Sequence, residues 1–393
     1  MKKIMVLNSG SSTVKFKLFD SKFNELAEGL IDRIGQEKGE FIIKYNEKKE
    51  ALEISFETHS DGIQFLLNKL TDLKILENLN EITMVGHRIV QGGEIFQDAV
   101  IVGDKELEQI YELAKLAPLH NKPNGDGIAI FKDLLPSAIN VAVFDTVYHQ
   151  TMKPEEYIYP LPYELYENYQ VRRYGAHGTS HKYVVNKVLE LENNNNLKVI
   201  NCHIGAGASL CATEGGKCVT TSMGLTPLGG IMMATRCGDL DPSVVNYINE
   251  QTGMSVNEIN EMMNKKSGLL GVSKISGDCR DISSAIDDGD ELAILSLEIY
   301  VNKIVDYIAS YYVKLNGVDV ISLTAGVGEN AGHIRKMIME RLSSLGVKLD
   351  NELNDIRSSE PRIISSIDSK IKVYVIPTEE ELQIAKETFD ICK

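Results

Sequence analysis

The chain has no tryptophan, and none of its six cysteines forms a CxxC pair. That removes the paired-cysteine zinc sites and the thioredoxin-type redox motif, and leaves the cysteines to be read as free thiols in a reducing compartment. No GxxxxGK run followed by Ser or Thr is present, so a Walker-type phosphate loop is excluded. Neither GxSxG nor HExxH occurs, which argues against a serine hydrolase of the nucleophile-elbow type and a zinc protease. Positive charge is scarce: 41 Lys and Arg face 56 Asp and Glu, a net −15. This speaks against non-specific binding to nucleic acid or anionic membrane. No apolar run is long enough to span a bilayer. The start, MKKIMVLNSG, turns polar after four apolar residues, too few for a secretory leader. The expectation is a cytoplasmic protein.

What is present is an ordinary globular composition, 43% hydrophobic and 25% charged over 393 residues, long enough for two cores. Residues 61–73 place Ile63, Leu66, Leu67, Leu70 and Leu73 on one helical face, with Asp61 as the expected cap. INVAVFDTVYH reads as an apolar strand with Asp145 at its carboxyl end. The proline- and tyrosine-rich stretch from about 149 to 175 reads as the crossing into a second domain. Asp241-Pro242 should start a helix, Ser255 with Glu258 should cap another, and residues 290–315 should form a helix for a core or a subunit interface. KVYVIPTEEELQIAKETF reads as a strand followed by a helix capped by Thr378 and Glu381. Its three glutamates are explained by the helix dipole alone.

Two segments repeat one pattern. IMVLNSGSSTVKFKLF and KVINCHIGAGASLCAT each join an apolar strand, a Gly-Ser loop and another strand. In the first, Val14, Lys15, Phe16, Lys17 and Leu18 alternate with a strand period, so the loop lies in a hairpin. Successive backbone N–H groups in such a turn can hold phosphate, although a plain hairpin turn is an equally good reading of it alone. A third glycine loop, TAGVGENAG, runs from strand to helix, as suits a nucleotide. Arg88 and Arg236 lie beside glycines where their forked donors could meet a planar anion. His177 and His181 lack the glutamate and unbroken helix of a zinc site.

Taken together, VLNSGSSTVKF, GHRIVQGGE, APLHNKPN, VFDTVYHQTM, YGAHGTSHKYV, HIGAGAS, SMGLTPLGGIMMATRCGDLDP, GDCRDI, TAGVGENA and IPTEEELQIA resemble the acetate kinase (acetokinase) family, in order and through nearly the whole chain. That family belongs with the sugar kinases, actin and chaperone ATPases. The resemblance implies an α/β fold of two duplicated ribonuclease H-like (actin-like ATPase) domains around a central nucleotide cleft. It places residues 1–148 with 380–393 in one domain and 149–379 in the other. It also implies a homodimer, Mg²⁺ or Mn²⁺, ATP or ADP as co-substrate, and a short-chain carboxylate as acceptor.

By position, Asp145, His177 and Arg236 would form the catalytic group. Arg88 would anchor the carboxylate, and Val90, Leu119, Ala176 and Pro227 would line its pocket. Lys15, His203, Ile204, Gly205, Ala206, Gly207, Asp278, Cys279, Arg280, Gly326, Val327, Gly328, Glu329 and Asn330 would surround the nucleotide. Asn8 and Glu380 would hold the metal. Within those motifs Gln91, Lys122, Ala176, Ala206 and Gly229 depart from the family's usual His, Pro, Phe, Asn and Glu. Three alternatives therefore stay open: a kinase for a longer acid, a pyrophosphate-using relative, and a nucleotide-binding paralogue without turnover.

Overall fold

The computed structural model describes residues 2–118 and 120–393, and the chain divides into two compact units, 1–147 with 379–393, and 148–378. The first unit holds an eight-stranded sheet. Its strands are β1 (Lys3–Ser9), β2 (Val14–Asp20), β3 (Glu25–Asp32), β4 (Glu40–Tyr45), β5 (Lys48–Glu53), β6 (Ile82–Ile89), β7 (Val100–Ile101) and β8 (Ile139–Phe144), in the order β5-β4-β3-β2-β1-β6-β8-β7. The second unit holds β9 (Lys198–Ile204), β10 (Ala208–Glu214), β11 (Lys217–Thr221), β12 (Val320–Thr324), β13 (Arg362–Ile363) and β14 (Lys372–Val375), in the order β11-β10-β9-β12-β14-β13.

The two sheets share one plan. β1 to β3 and β9 to β11 are antiparallel meanders. β6 and β8 then add in parallel to β1, as β12 and β14 add to β9. This is the duplicated ribonuclease H-like α/β fold. The first strand of each unit is buried on both faces, which its continuous apolar run requires. In β1, Met5 and Leu7 join the core under the helices His59–Asp72 and Asn121–Leu134. Ile4 and Val6 join the core under the C-terminal helix Glu380–Ile391 through Ile384 and Ala385. In β9, Ile200 and Cys202 pack with the helix Glu291–Lys314, and Val199 with the helix Gly178–Glu192. Each fully buried aliphatic side chain of this kind contributes about 1.5–3 kcal/mol.

Several local readings need correction. The helix at 59–72 is capped by Thr58, and Asp61 occupies its third position, accepting the Thr58 N–H in a reciprocal box. The C-terminal helix starts at Glu380 with no side-chain cap, because the Thr378 hydroxyl is engaged by Ser180 at 2.8 Å. NKPNG, despite its proline and glycine, opens the helix Asn121–Leu134. Pro123 is tolerated there because first-turn N–H groups have no intrahelical acceptor. Ser255 and Glu258 do form their box.

Candidate active site

In the first unit, strand ends supply the chemistry. β6 carries Arg88 and β8 ends just before Asp145, whose N–H is accepted by Ile89 at 2.9 Å. The parallel ladder sets Arg88 beside Val143, so guanidinium and carboxylate emerge together. Arg88 donates to Asp145 Oδ2 through Nη2 at 2.5 Å and Nε at 3.1 Å. Asp145 is 1% exposed and Arg88 20%. Burial works against the Arg88 charge, but the Asp145 and Glu380 carboxylates outweigh it and push its pKa up. Glu380, half-buried at the start of the last helix, is pushed up to about 7 by burial and by Asp145 and Glu381, against the pull of Arg88 and Lys15.

Asn8 and Lys15 face each other across the β1–β2 hairpin. Gly10 closes its turn with an N–H to Thr13 O at 2.8 Å, and His59 Nε2 stands 2.8 Å from Gly10 O. Two asparagines that sequence reasoning passed over hold the segment after Arg88, and one of them, Asn124, ties it to this loop. Asn124 donates to Ser9 O at 2.6 Å and accepts the Val90 N–H at 3.1 Å. Asn121 accepts from Gln91 N at 3.0 Å and donates to Gln91 O at 2.8 Å. Gly127 is required beneath: an added Cβ would stand 2.6 Å from Ser9 Oγ. Gln91 itself is buried and accepts the Gly93 N–H at 2.9 Å. Lys122, 71% exposed, pairs with Asp126 in solvent and has no part in this network. Leu119 lies outside the described residues.

The second unit gathers histidines on the β9–β10 hairpin. His177 Nδ1 and His181 Nε2 lie 2.9 and 2.8 Å from Ser209 Oγ, and Ser180 Oγ lies 2.8 Å from His203 Nδ1. The rings of His177 and His203 stack at 4.2 Å. His177 begins its helix with φ 57°. Arg236 is half-buried, and among the described residues it has no carboxylate partner. It donates through Nη1 to Pro227 O at 3.1 Å, and burial lowers its pKa. An atom added as Cβ on Gly207 would lie 3.4 Å from both Arg236 Nη1 and His177 Nε2. A cation with no carboxylate partner among the described residues, beside an imidazole and a bare glycine loop, can seat an anion.

Beside that loop is a cavity of about 610 Å³, lined among others by Gly205, Ala206, Asp278, Cys279, Gly326 and Asn330. Its size suits a nucleoside. Arg280 and Val327 also border it, as do Ser283, His333 and Arg357, which sequence reasoning missed. Three other nucleotide candidates do not border it. Ile204 and Gly328 are buried, and Glu329 turns inward, its Oε1 accepting Ala325 N at 2.8 Å and Thr378 N at 3.1 Å. Asp278, which caps the helix Cys279–Asp287, is held down at about 2 by its hydrogen bonds from the Arg280 side chain and backbone. Ala176 is buried in the same core cluster as Ile231, Met232 and Met233, and its carbonyl oxygen lies 3.0 Å from His149 Nε2. At Gly229 an added Cβ would stand 3.4 Å from Asp239 Oδ1.

The acetokinase family model matches residues 3–386. The chain belongs to the acetokinase family. A Clostridium novyi (strain NT) acetate kinase is 48% identical over 395 residues, covering 99% of this chain and 98% of that one. A Bacillus subtilis (strain 168) acetate kinase is 45% identical, with both chains covered completely. Among solved structures, Porphyromonas gingivalis acetate kinase superposes with a TM-score of 0.95 at 39% identity, both chains covered in full. A propionate kinase from Francisella tularensis gives 0.94 at 40% identity, covering 99% of this chain and all of that one. The acetokinase fold thus extends through both units. No helix among the described residues is long and apolar enough to cross a membrane.

Proposed function

We propose that this acetokinase catalyses ATP-dependent phosphoryl transfer to acetate, giving acetyl phosphate and ADP, reversibly. The observation that carries the reading is the convergence of Arg236 and His177 on Gly207, in the loop whose Gly205 and Ala206 border the nucleotide-sized cavity. A carboxylate oxygen attacks the γ-phosphorus while the bond to the β-phosphate oxygen breaks and ADP departs. The acceptor is ionised at neutral pH and needs no base, so the difficulty is charge and alignment. Arg88 anchors the carboxylate, and Asp145, bonded to it by two donors, orients it. Arg236 and His177 neutralise the equatorial phosphoryl oxygens.

Asn8 and Glu380 fit a hard divalent cation such as Mg²⁺. They offer amide and carboxylate oxygens, and the proton affinity of Glu380, raised by burial beside Asp145 and Glu381, marks a carboxylate short of positive charge. Bound there with the nucleotide, the ion would supply charge neutralisation for the phosphates. The expected homodimer has support in the helix Glu291–Lys314, which leaves Leu292, Ile294, Leu295 and Val313 exposed. The setting proposed is the cytoplasm.

A longer acid as preferred substrate is the second reading, supported by the equal likeness to a propionate kinase. The test is hydroxylamine trapping of acyl phosphate with Mg·ATP and straight-chain acids from C2 to C6. Product that peaks at acetate supports the proposal, and a peak at C3 or beyond moves the substrate assignment. No product from any acid, with ATP bound, returns the chain to a non-catalytic role.

A further inference from the structure

Behind the catalytic histidine loop lies a group of donors that phosphoryl transfer does not use. Cys218 Sγ is 3.3 Å from His149 Nδ1 and 3.5 Å from Cys211 Sγ. The three donor atoms all lie within 4.8 Å of one another, and all three residues are buried. Cys211 and Cys218 come from the β10–β11 hairpin, where a register shift between Ala212 and Thr213 lets the two thiols meet. His149 comes from the short turn of helix Val147–Thr151, pinned to that hairpin by Thr151 Oγ1 donating to Cys218 O at 2.7 Å. Met152 completes the apolar cluster around the two cysteines, with Tyr148 and Tyr157 packed on it.

Buried cysteines usually behave as small hydrophobes. Here the pair shares its enclosure with an imidazole whose other nitrogen, Nε2, lies 3.0 Å from the Ala176 carbonyl oxygen. A proton on Nε2 donated to that carbonyl leaves Nδ1 as a lone pair aimed at the thiols, the orientation by which proteins prepare a metal-binding histidine.

We propose that His149, Cys211 and Cys218 bind one thiophilic d¹⁰ cation, Zn²⁺ or Cu⁺, through Nδ1 and two thiolates. Each thiol gives its proton to solvent as a metal–sulfur bond forms, Nδ1 supplies the third bond, and no oxidation state changes. Bonds of ~2.3 Å to sulfur and ~2.0 Å to nitrogen hold trigonal donors roughly 3.8–4.0 Å apart. The two contacts at 3.3 and 3.5 Å therefore need to open only slightly. Zn²⁺ would cancel the two thiolate charges, whereas thiolate softness and a three-donor set favour Cu⁺. The site also reaches the catalytic loop. The His149 ring packs under Gly175, where an added Cβ would meet its Cδ2 at 2.5 Å, and His177 follows two residues later. Loading would fix the ring on which the backbone of that loop rests.

The test uses the full chain, reduced, chelator-treated and anaerobic. It is titrated with Zn²⁺ against a chromophoric chelator and separately with Cu⁺ against bicinchoninate. The expected result is one equivalent of at least one cation per chain. Affinity should fall tenfold or more in Cys218→Ser and in Cys211→Ala, and be kept in Cys237→Ser and Cys392→Ser. X-ray absorption on the loaded wild-type protein should show two sulfur neighbours and one nitrogen, an answer that stands even where a cysteine variant fails to fold. Absence of stoichiometric binding of either cation would overturn the proposal, as would binding lost with Cys237 or Cys392 in place of Cys211 and Cys218.

Discussion

His177 and Arg236 meet over the α-carbon of Gly207, each presenting a nitrogen 3.4 Å from where a β-carbon would stand. The two come from distant parts of the chain, one at a helix start and the other in the loop after Met233, and a β-carbon at this position would touch both. Gly207→Ala should set a methyl group against both nitrogens, where the transferring phosphoryl group is proposed to lie. Turnover should fall at least about tenfold, since small misplacements of reacting groups are costly. ATP affinity should change little, because the cavity lining is untouched. Steady-state kinetics with nucleotide-binding titration would check this, and an unchanged kcat would contradict it.

Asn124 bridges Ser9 O and Val90 N. Asn124→Ala leaves both backbone groups without their partner, at a cost of roughly 1–3 kcal/mol for each buried group unsatisfied. It also frees the loop that follows Arg88. The expected outcome is a lower thermal midpoint together with a raised KM for the acid and a nearly unchanged KM for ATP. Equal effects on both KM values would assign Asn124 to global stability alone.

His87 is buried with Nε2 2.9 Å from Asn140 Oδ1, and burial lowers its pKa from 6.5 to about 4. Between those two values the unfolded chain takes up a proton that the folded chain refuses, so stability falls as the pH drops. By pH 5 the loss from this one residue is about 2 kcal/mol. Urea midpoints at pH 7 and pH 5 should diverge more for the wild type than for His87→Gln. Parallel shifts would contradict the assignment.

Ala176 is buried 4% exposed among core methionines and Ile231. Ala176→Phe should therefore overpack that core, costing about 1–3 kcal/mol, before it alters acid choice. A lowered thermal midpoint with an unchanged C2-to-C6 profile is the expected outcome. A narrowed profile at full stability would show instead that the side chain borders the acyl group.

Much of this architecture was legible because its signals are local. The alternation from Val14 to Leu18 gave the first hairpin, and the repeated strand–loop–strand pattern pointed to two related halves. The helix Asn121–Leu134 was hidden because Pro123, Gly125 and Gly127 read as turn punctuation, although a first turn tolerates proline and Gly127 is there for Ser9. The asparagine clamps were invisible for a related reason: Asn in a glycine-rich stretch looks like a loop residue until its distant acceptors are known. Glu329, expected beside the nucleotide, gives its Oε1 to two backbone N–H groups, a local role that no motif announces. Ser283, His333 and Arg357 border the cavity without any motif, brought there by packing alone.

Arg88 is proposed to serve the carboxylate and Arg236 the phosphoryl group. The most direct measurement is ATP formation from acetyl phosphate and ADP, comparing wild type, Arg88→Ala and Arg236→Ala. The account predicts robust ATP synthesis by the wild type. It predicts a kcat loss of roughly 10³–10⁵ for Arg236→Ala with little change in KM for ADP, and a loss for Arg88→Ala that includes a raised KM for acetyl phosphate. Wild-type protein that binds ADP but makes no ATP, or an Arg236→Ala variant with near-normal kcat, would contradict it.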